Sequence, residues 1–416
     1  MHRDAPRTAD DPAKVTRHLQ AIVLHGKNDL RYEPDYPAPS PAPGEVLLRM
    51  TYSSICQTDI EQWHRGMFFG SGEPRILGHE AAGVVEQLGE GVTGIEIGTR
   101  VAVENVRTCG TCFFCRKGTQ QLCENGRNFG FSDNGGLAEF AVWPAALCIK
   151  LPENITNEEA PLSEPTSVAV HAVTQSGIQV GDTAAVIGCG VVGLLTLQVL
   201  QAVGAKVVAI DPREQSLALA KEFGAIETLN PAEVDVAKLL PQIADELRTG
   251  TYGSSLLRED VRGRVDGDAG PKSSDDARSL TKSGDQVVRR RPAQKTRPEP
   301  NAHGPDVVFD TAGAPDTALN AARWTRRGGK AIIVGFSGQD QTLNLGRTLM
   351  GEKTIMGSSA TGTGEYQKAV DLIATGAVNV KPLISALVPL DRGIPDGFER
   401  MLKPEKDVYR ILVGNG

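Results

Sequence analysis

The stretch Thr183–Gly193, reading T-A-A-V-I-G-C-G-V-V-G, decides the fold. Its opening residues are small and apolar enough for a strand buried on both faces, and glycines follow at G-x-G-x-x-G spacing. An apolar helical run continues to Gly204, a second strand occupies Lys206–Ile210, and that strand ends on Asp211. A lone G-x-G-x-x-G is a weak signal. One that leaves a strand, opens a helix and is trailed roughly twenty residues later by an acidic side chain is a complete βαβ dinucleotide fingerprint. Gly188 permits the tight turn, Gly190 lets a pyrophosphate approach the backbone, and Gly193 lets helix and strand pack closely. Val191 and Val192 open the helix whose N-terminus holds the pyrophosphate. Asp211 is expected to hydrogen-bond the adenosine ribose hydroxyls and to repel a 2′-phosphate, which favours NAD over NADP. Arg213 is the neighbour that argues the other way, and it is read as flanking the adenine or solvated.

Downstream the helix–strand alternation continues. Pro212 starts a helix carrying Leu217, Ala220 and Phe223, another helix runs from about Val234 to Arg248, and strands are expected at Asp306–Phe309 and Ala331–Phe336. This is the pattern of an α/β, doubly wound parallel sheet. The alternation is interrupted from Thr251 to His303, a segment dense in both charge signs, with a triple arginine at Arg289–Arg291 and no aromatic residue after Tyr252. Such a segment cannot bury enough apolar surface to offset its ordering entropy, so it is expected to be a disordered insertion. It leaves a helix end and returns at a strand start, which puts it at the amino ends of the strands. Ligands in these sheets bind at the carboxyl ends.

Upstream the pattern is β-like. Short apolar runs at Ala21–Leu24, Val46–Tyr52, Ala82–Leu88 and Arg100–Val103 are separated by Pro- and Gly-rich turns, which suggests a barrel or sandwich-like first domain. Strands near Ile384–Val388 and Tyr409–Val413, with a helix around Tyr366–Thr375, resemble this domain and are expected to complete it. The expected organisation is a disordered extension at 1–18, a β-rich domain from 19–165 and 351–416, and a dinucleotide-binding domain at 166–350 that contains the 251–303 insertion.

Two cysteine patterns point to metal. Cys109-Gly-Thr-Cys112-Phe-Phe-Cys115, followed by Cys123, places four soft ligands in one short loop, the donor set of a closed tetrahedral zinc site. Separately, Cys56-Gln-Thr58-Asp59, Gly78-His79-Glu80 and Ser163-Glu164-Pro165 together offer a thiolate, an imidazole and carboxylates, the ligand menu of a second zinc. Taken alone, a His-Glu pair after a glycine is equally a surface turn. The remaining cysteines, Cys148 and Cys189, read as small buried residues. His18, His25, His171 and His303 lack ligand-like neighbours in sequence, and Trp63, Phe68 and Phe69 fit either a substrate pocket or core packing.

The 416 residues carry a net charge of −7, which argues against nucleic acid or an anionic membrane as the main partner. No run approaches the ~18 apolar residues a membrane helix needs, and the polar N-terminus lacks the apolar core of a secretory signal. A cytoplasmic location is expected.

On Cys56-x-Thr58-Asp59, Gly78-His79-Glu80, the four-cysteine lobe, Glu164-Pro165 and the glycine fingerprint, the chain resembles the zinc-dependent medium-chain dehydrogenases, and among them the polyol, butanediol and threonine dehydrogenase-like branch. The resemblance runs from about Leu19 to the C-terminus, excluding the insertion. It implies a GroES-like catalytic domain split in sequence by a Rossmann domain, with the active site in the cleft between them. It further implies that Cys56 and His79 bind a catalytic zinc, with Glu80 a ligand in some members and a nearby non-ligand in others. Glu164 stands where liver-type enzymes carry a cysteine ligand and sugar- and polyol-type members carry glutamate, which favours the polyol branch. Thr58 would hydrogen-bond the substrate oxygen and start proton removal, and Asp59 would orient His79. Glu61 replaces the histidine that ends the liver-type proton relay, and Thr99 replaces a usual aspartate in the Gly98-Thr99-Arg100 turn.

The resulting expectation is an NAD-dependent oxidoreductase with two zinc ions per chain, acting on a small-molecule secondary alcohol or its ketone and assembled as a homo-oligomer, dimer or tetramer. Two alternatives are kept: a carbonyl reductase acting on a specialised-metabolism intermediate, which shares every residue above, and a non-catalytic nucleotide-binding sensor or scaffold. Loss of chemistry in the last case would be expected to have damaged Thr58 or the metal ligands, and all are present.

Overall fold

The computed structural model describes residues 18–66, 74–252, 303–403 and 408–414. The expectations for 1–18 and 251–303 therefore fall almost wholly outside the described residues, as do Phe68 and Phe69.

In chain order, the first part holds β1 (His18–Gly26), β2 (Asp29–Pro37), β3 (Glu45–Ser54), β4 (Arg75–Ile76), β5 (Glu80–Leu88), β6 (Arg100–Val103), β7 (Val106–Arg107), β8 (Arg127–Asn128), β9 (Phe140–Pro144) and β10 (Cys148–Lys150). Among and after these strands lie α1 (Gln57–Arg65), α2 (Phe113–Lys117) and α3 (Ser163–Ser176). The middle alternates: β11 (Thr183–Ile187), α4 (Val191–Ala202), β12 (Lys206–Ile210), α5 (Glu214–Glu222), β13 (Glu227–Leu229) and α6 (Val236–Thr249). It resumes with β14 (Val307–Asp310), α7 (Thr317–Trp324), β15 (Lys330–Ile333), α8 (Leu345–Met350) and β16 (Thr354–Gly357). Then follow α9 (Glu365–Ala374), β17 (Ile384–Val388) and β18 (Arg410–Gly414).

The chain divides into two compact units. One comprises the described residues of Met1–Gln175, Gly190–Ala202 and Ser358–Gly416, the other Ser176–Cys189 and Val203–Gly357.

In the first unit, β3 is the hub. Its alternating apolar face pairs antiparallel with β5, β9 and β18, and the sheet runs β10-β6-β5-β3-β18-β17. β18 comes from the far end of the chain, so the C-terminal strands join the N-terminal sheet as expected. Apolar clusters among its described residues include one of Leu19, Ala21–Leu24, Ile55, Leu77, Leu137, Phe398 and Val413, and another of Val46, Leu48, Val85, Val101, Val103 and Trp143. β2 escapes sequence detection because it is an edge strand beside β1, largely uncovered and interrupted by Pro34, a residue tolerated only at sheet edges.

In the second unit, β11 is buried at every position and pairs parallel with both β12 and β14. The order β13-β12-β11-β14-β15-β16, parallel throughout, is the doubly wound dinucleotide-binding arrangement. Strand order reverses between β11 and β14, so the carboxyl ends of these two strands mark the switch point. Gly188 sits there with φ +93°, and a Cβ on it would lie 2.8 Å from that of Ala312. Both its conformation and its contact demand glycine. The strand expected at Ala331–Phe336 stops at Ile333, because the chain turns in at Gly335, where a Cβ would meet the Gly313 amide nitrogen at 2.2 Å.

Candidate active site

The sheet register assembles the site. Ser54 at the end of β3 lies opposite Glu80 at the start of β5, so Cys56 and His79, each just beyond its strand, come together. Gly78 makes the close approach feasible: its φ is +93°, and a Cβ there would meet the Ser53 hydroxyl at 2.5 Å. The ligand atoms of Cys56, His79 and Glu80 all lie within 4.8 Å of one another, and His79 and Glu80 are buried. Cys56 caps α1, where its own N–H donates to Asp59 Oδ2 at 2.9 Å.

Asp59 is fully buried and faces His79, its Oδ1 3.3 Å from Nδ1. That leaves Nε2, 3.4 Å from the Thr58 hydroxyl, on the side of the other donors. Phe131 lies against the imidazole with ring centroids 4.7 Å apart. Burial pulls the His79 pKa down, but Asp59 and Cys56 more than offset it, so the net shift is well upward. Burial pushes the Glu164 carboxyl up to about 7.

Glu80 is held by a residue that sequence reasoning missed. Arg410 at the start of β18 forks onto it, Nη2 donating to Oε1 at 2.7 Å and Nε to Oε2 at 2.9 Å, while the Ser54 hydroxyl donates to Oε2. Arg410 Nη2 also reaches Cys56 Sγ at 3.7 Å. No local signal marks Arg410, because its place follows from β18 pairing beside Ser54. Glu164, in the first turn of α3, accepts from Asn105 Nδ2 at 3.4 Å and is not within 4.8 Å of all three donors. Glu61 is engaged along its own helix, by Gln57 at 3.1 Å and Arg65 at 2.9 Å.

The four-cysteine lobe converges as well. Sγ–Sγ separations are 3.5 Å for Cys123–Cys109, 3.9 Å for Cys112–Cys123 and 4.0 Å for Cys109–Cys115. A tetrahedron with zinc–sulfur bonds of about 2.3 Å has edges of about 3.8 Å. The Thr111 N–H and hydroxyl and the Cys112 N–H draw the Cys109 thiol down to about 5, while burial pushes Cys115 up to about 12.

Both donor sets fit zinc. The lobe supplies four sulfurs at tetrahedral spacing. The second set supplies sulfur, nitrogen and oxygen, with a buried His79 Nδ1 and Asp59 Oδ1 that make no other hydrogen bond.

In the second unit, Asp211 ends β12 as expected, buried, and accepts from the Cys189 N–H of the fingerprint turn at 2.7 Å. Arg213 forks onto the same carboxylate. Gly190 has open space where a Cβ would stand. His171, without ligand-like neighbours in sequence, is buried against Glu365 at 2.7 Å and Gln175 at 2.8 Å, a network that only folding assembles. Trp63 packs edge-on to Phe398 with ring centroids 5.9 Å apart, at the margin of the core.

A doubly wound sheet with this strand order, together with a β-rich unit that holds a Cys-His-Glu set and a four-sulfur lobe, defines a zinc-containing dehydrogenase. Residues 42–153 match the alcohol dehydrogenase GroES-like domain, and residues 191–252 and 272–375 match the zinc-binding dehydrogenase domain. The chain is 32% identical to a probable D-xylulose reductase A of Aspergillus clavatus, over 97% of this chain and 98% of that one. It is 30% identical to the D-xylulose reductase A of Aspergillus oryzae, over 97% and 98%. Among solved structures, 2R,3R-butanediol dehydrogenase from Bacillus subtilis is similar at 26% identity and TM-score 0.75, covering 96% of this chain and 100% of that one. A zinc-binding dehydrogenase from Sinorhizobium meliloti bound to NADP is similar at 27% identity and TM-score 0.76, with the same coverage. The chain belongs to the zinc-dependent medium-chain alcohol dehydrogenase family, and it is an oxidoreductase that uses zinc and a nicotinamide cofactor. Among the described residues no helix is long and apolar enough to cross a membrane.

Proposed function

We propose that this enzyme interconverts a polyol, or another secondary alcohol bearing a neighbouring polar group, and its ketone, with NAD as hydride acceptor and two zinc ions per chain. The observation that carries the reading is the set of half-buried Cys56 with buried His79 and Glu80, its ligand atoms within 4.8 Å, with the Thr58 hydroxyl alongside. The D-xylulose reductases among the relatives and the glutamate at Glu164 support a polyhydroxylated substrate.

Cys56, His79 and Glu80 would hold the catalytic zinc, and Cys109, Cys112, Cys115 and Cys123 the structural one. A zinc bound at the first set supplies Lewis-acid polarisation of an alcohol oxygen, which lowers the cost of removing its proton. Thr58, its hydroxyl on the side of the donor set, would hydrogen-bond that oxygen and so assist removal of its proton. Asp59 keeps Nδ1 of His79 engaged, so that the imidazole presents Nε2 to the donor set. Arg410 offsets the charge of Glu80, which would otherwise be buried beside a thiolate. Glu164, which the resemblance offers as a ligand, would serve as an alternative oxygen donor to the catalytic zinc. Gly188, Gly190, Val191, Val192 and Gly193 would seat the pyrophosphate and Asp211 the adenosine ribose.

A cytoplasmic, homo-oligomeric enzyme is the accompanying proposal. The exposed Leu345, Leu349 and Met350, beside the edge strand β16 with its exposed Ile355, support self-association. The test of the function is metal analysis together with a screen of polyols, diols, amino alcohols and their ketones with NAD, read by absorbance of the reduced cofactor. Two zincs and NAD reduction by a polyol are expected. One zinc or none, or turnover confined to simple primary alcohols, overturns the reading.

A further inference from the structure

Asp211 is only 3% exposed, and its two oxygens already accept four hydrogen bonds from the chain itself. Oδ2 takes the Cys189 N–H at 2.7 Å and Arg213 Nη2 at 3.2 Å. Oδ1 takes the Arg213 backbone N–H at 2.8 Å and Arg213 Nε at 3.0 Å. A carboxylate offers about four lone-pair sites, so ribose hydroxyls arriving at Asp211 meet acceptors that are already engaged.

The four donors are not equivalent. The two backbone N–H groups tie the fingerprint turn and the approach to α5 to the end of β12, and moving them means rebuilding the turn. The other two belong to one long side chain, 31% exposed, whose departure gives up the fork but leaves the backbone in place. We propose that Arg213 is an internal occupant of the ribose-hydroxyl subsite, which NAD must displace from Asp211 and which a 2′-phosphate recruits. The proposal rests on the dinucleotide reading of the fingerprint turn.

The consequence is opposite in sign for the two coenzymes. NAD exchanges a charge-assisted fork for two hydroxyl hydrogen bonds, so part of its binding is spent on eviction. A 2′-phosphate is repelled by Asp211 but meets a guanidinium close at hand, with a donor geometry suited to phosphate oxygens. Arg213 therefore narrows the discrimination that Asp211 alone would impose. An arginine that only stacked on adenine would instead strengthen both coenzymes alike.

The two roles separate in binding without catalysis. Calorimetric titration of the full-length protein with ADP-ribose and with 2′-phospho-ADP-ribose involves no nicotinamide and no turnover. In Arg213→Ala, ADP-ribose is expected to bind about three- to tenfold tighter and the phosphorylated ligand at least about tenfold more weakly, the size of one partly exposed charge-assisted fork. Arg213→Lys keeps the charge but cannot fork, so it should tighten ADP-ribose while retaining part of the phosphate affinity. Weaker ADP-ribose binding in Arg213→Ala, or equal shifts for both ligands, overturns the proposal. Wild-type protein that binds neither ligand overturns the dinucleotide reading itself, and the inference with it.

Discussion

Glu80 shows how much one residue's meaning depends on its partner. In sequence it is a carboxylate next to a histidine, competing with Glu164 for a place at the metal. Folded, it is forked by Arg410 and bonded by Ser54, while Glu164 lies outside the tight set. With no metal bound, a buried carboxylate stripped of its cationic partner retains an uncompensated charge, which costs about 3–5 kcal/mol. Arg410→Ala should therefore lower the unfolding free energy of the metal-free protein by roughly that amount in urea titration, and Arg410→Lys, with no planar fork, should recover only part of it. An Arg410→Ala variant as stable as the parent would show that the pair contributes little. Cys56→Ser should abolish turnover while calorimetric binding of ADP-ribose stays within about twofold of wild type, since Asp211 and the fingerprint turn make no use of the thiol. Thr58→Val keeps the shape but removes the hydroxyl, and kcat is expected to fall by about a hundredfold or more with KM less affected. A change confined to KM would reassign Thr58 to binding.

At the scale of elements, the cysteine lobe and the Gly78 turn make separate demands. The lobe is built on the two-residue strands β7 and β8 and the five-residue helix α2, with little apolar core of its own: Cys115 is buried, while Phe113 is 64% exposed. On the two-zinc proposal, four thiolates around a metal would supply most of its order. Cys112→Ser is expected to reduce the zinc content from two ions per chain to one and to open the lobe to limited proteolysis, with the catalytic metal retained. Retention of both zincs would remove the lobe from the metal account. Gly78→Ala forces a Cβ into the Ser53 hydroxyl at a left-handed φ, so a loss of at least about 2 kcal/mol in urea unfolding is expected. Strands with steady apolar runs, such as β11 and β12, were legible as strands because burial on both faces writes the same residue type at every position. β2 was not, since an uncovered edge strand with Pro34 carries neither alternation nor a buried run.

At the scale of the whole molecule, the segment between Tyr252 and His303 joins the end of α6 to the start of β14, the amino-end side of the parallel sheet. Replacing 253–302 by a short Gly/Ser linker should leave kcat/KM within about twofold, because ligands in such sheets bind at the carboxyl ends. A large loss would mean that the segment reaches the chemistry. The sequence by itself determined the parallel α/β sheet, the fingerprint turn, the acidic end of β12, the four-sulfur lobe and the Cys-x-Thr-Asp and Gly-His-Glu stretches. Each of these is a local pattern whose spacing is set by turn geometry, helix starts or metal coordination. Tertiary structure alone decided that Arg410 holds Glu80, that Glu164 stands outside the set of three donors, that Glu365 pairs with His171 and that Arg213 occupies Asp211. Buried charges take whatever partner the strand register and side-chain reach bring within about 3 Å, and that register is a property of pairings hundreds of residues apart, or of a side-chain rotamer, neither of which leaves a mark in the chain.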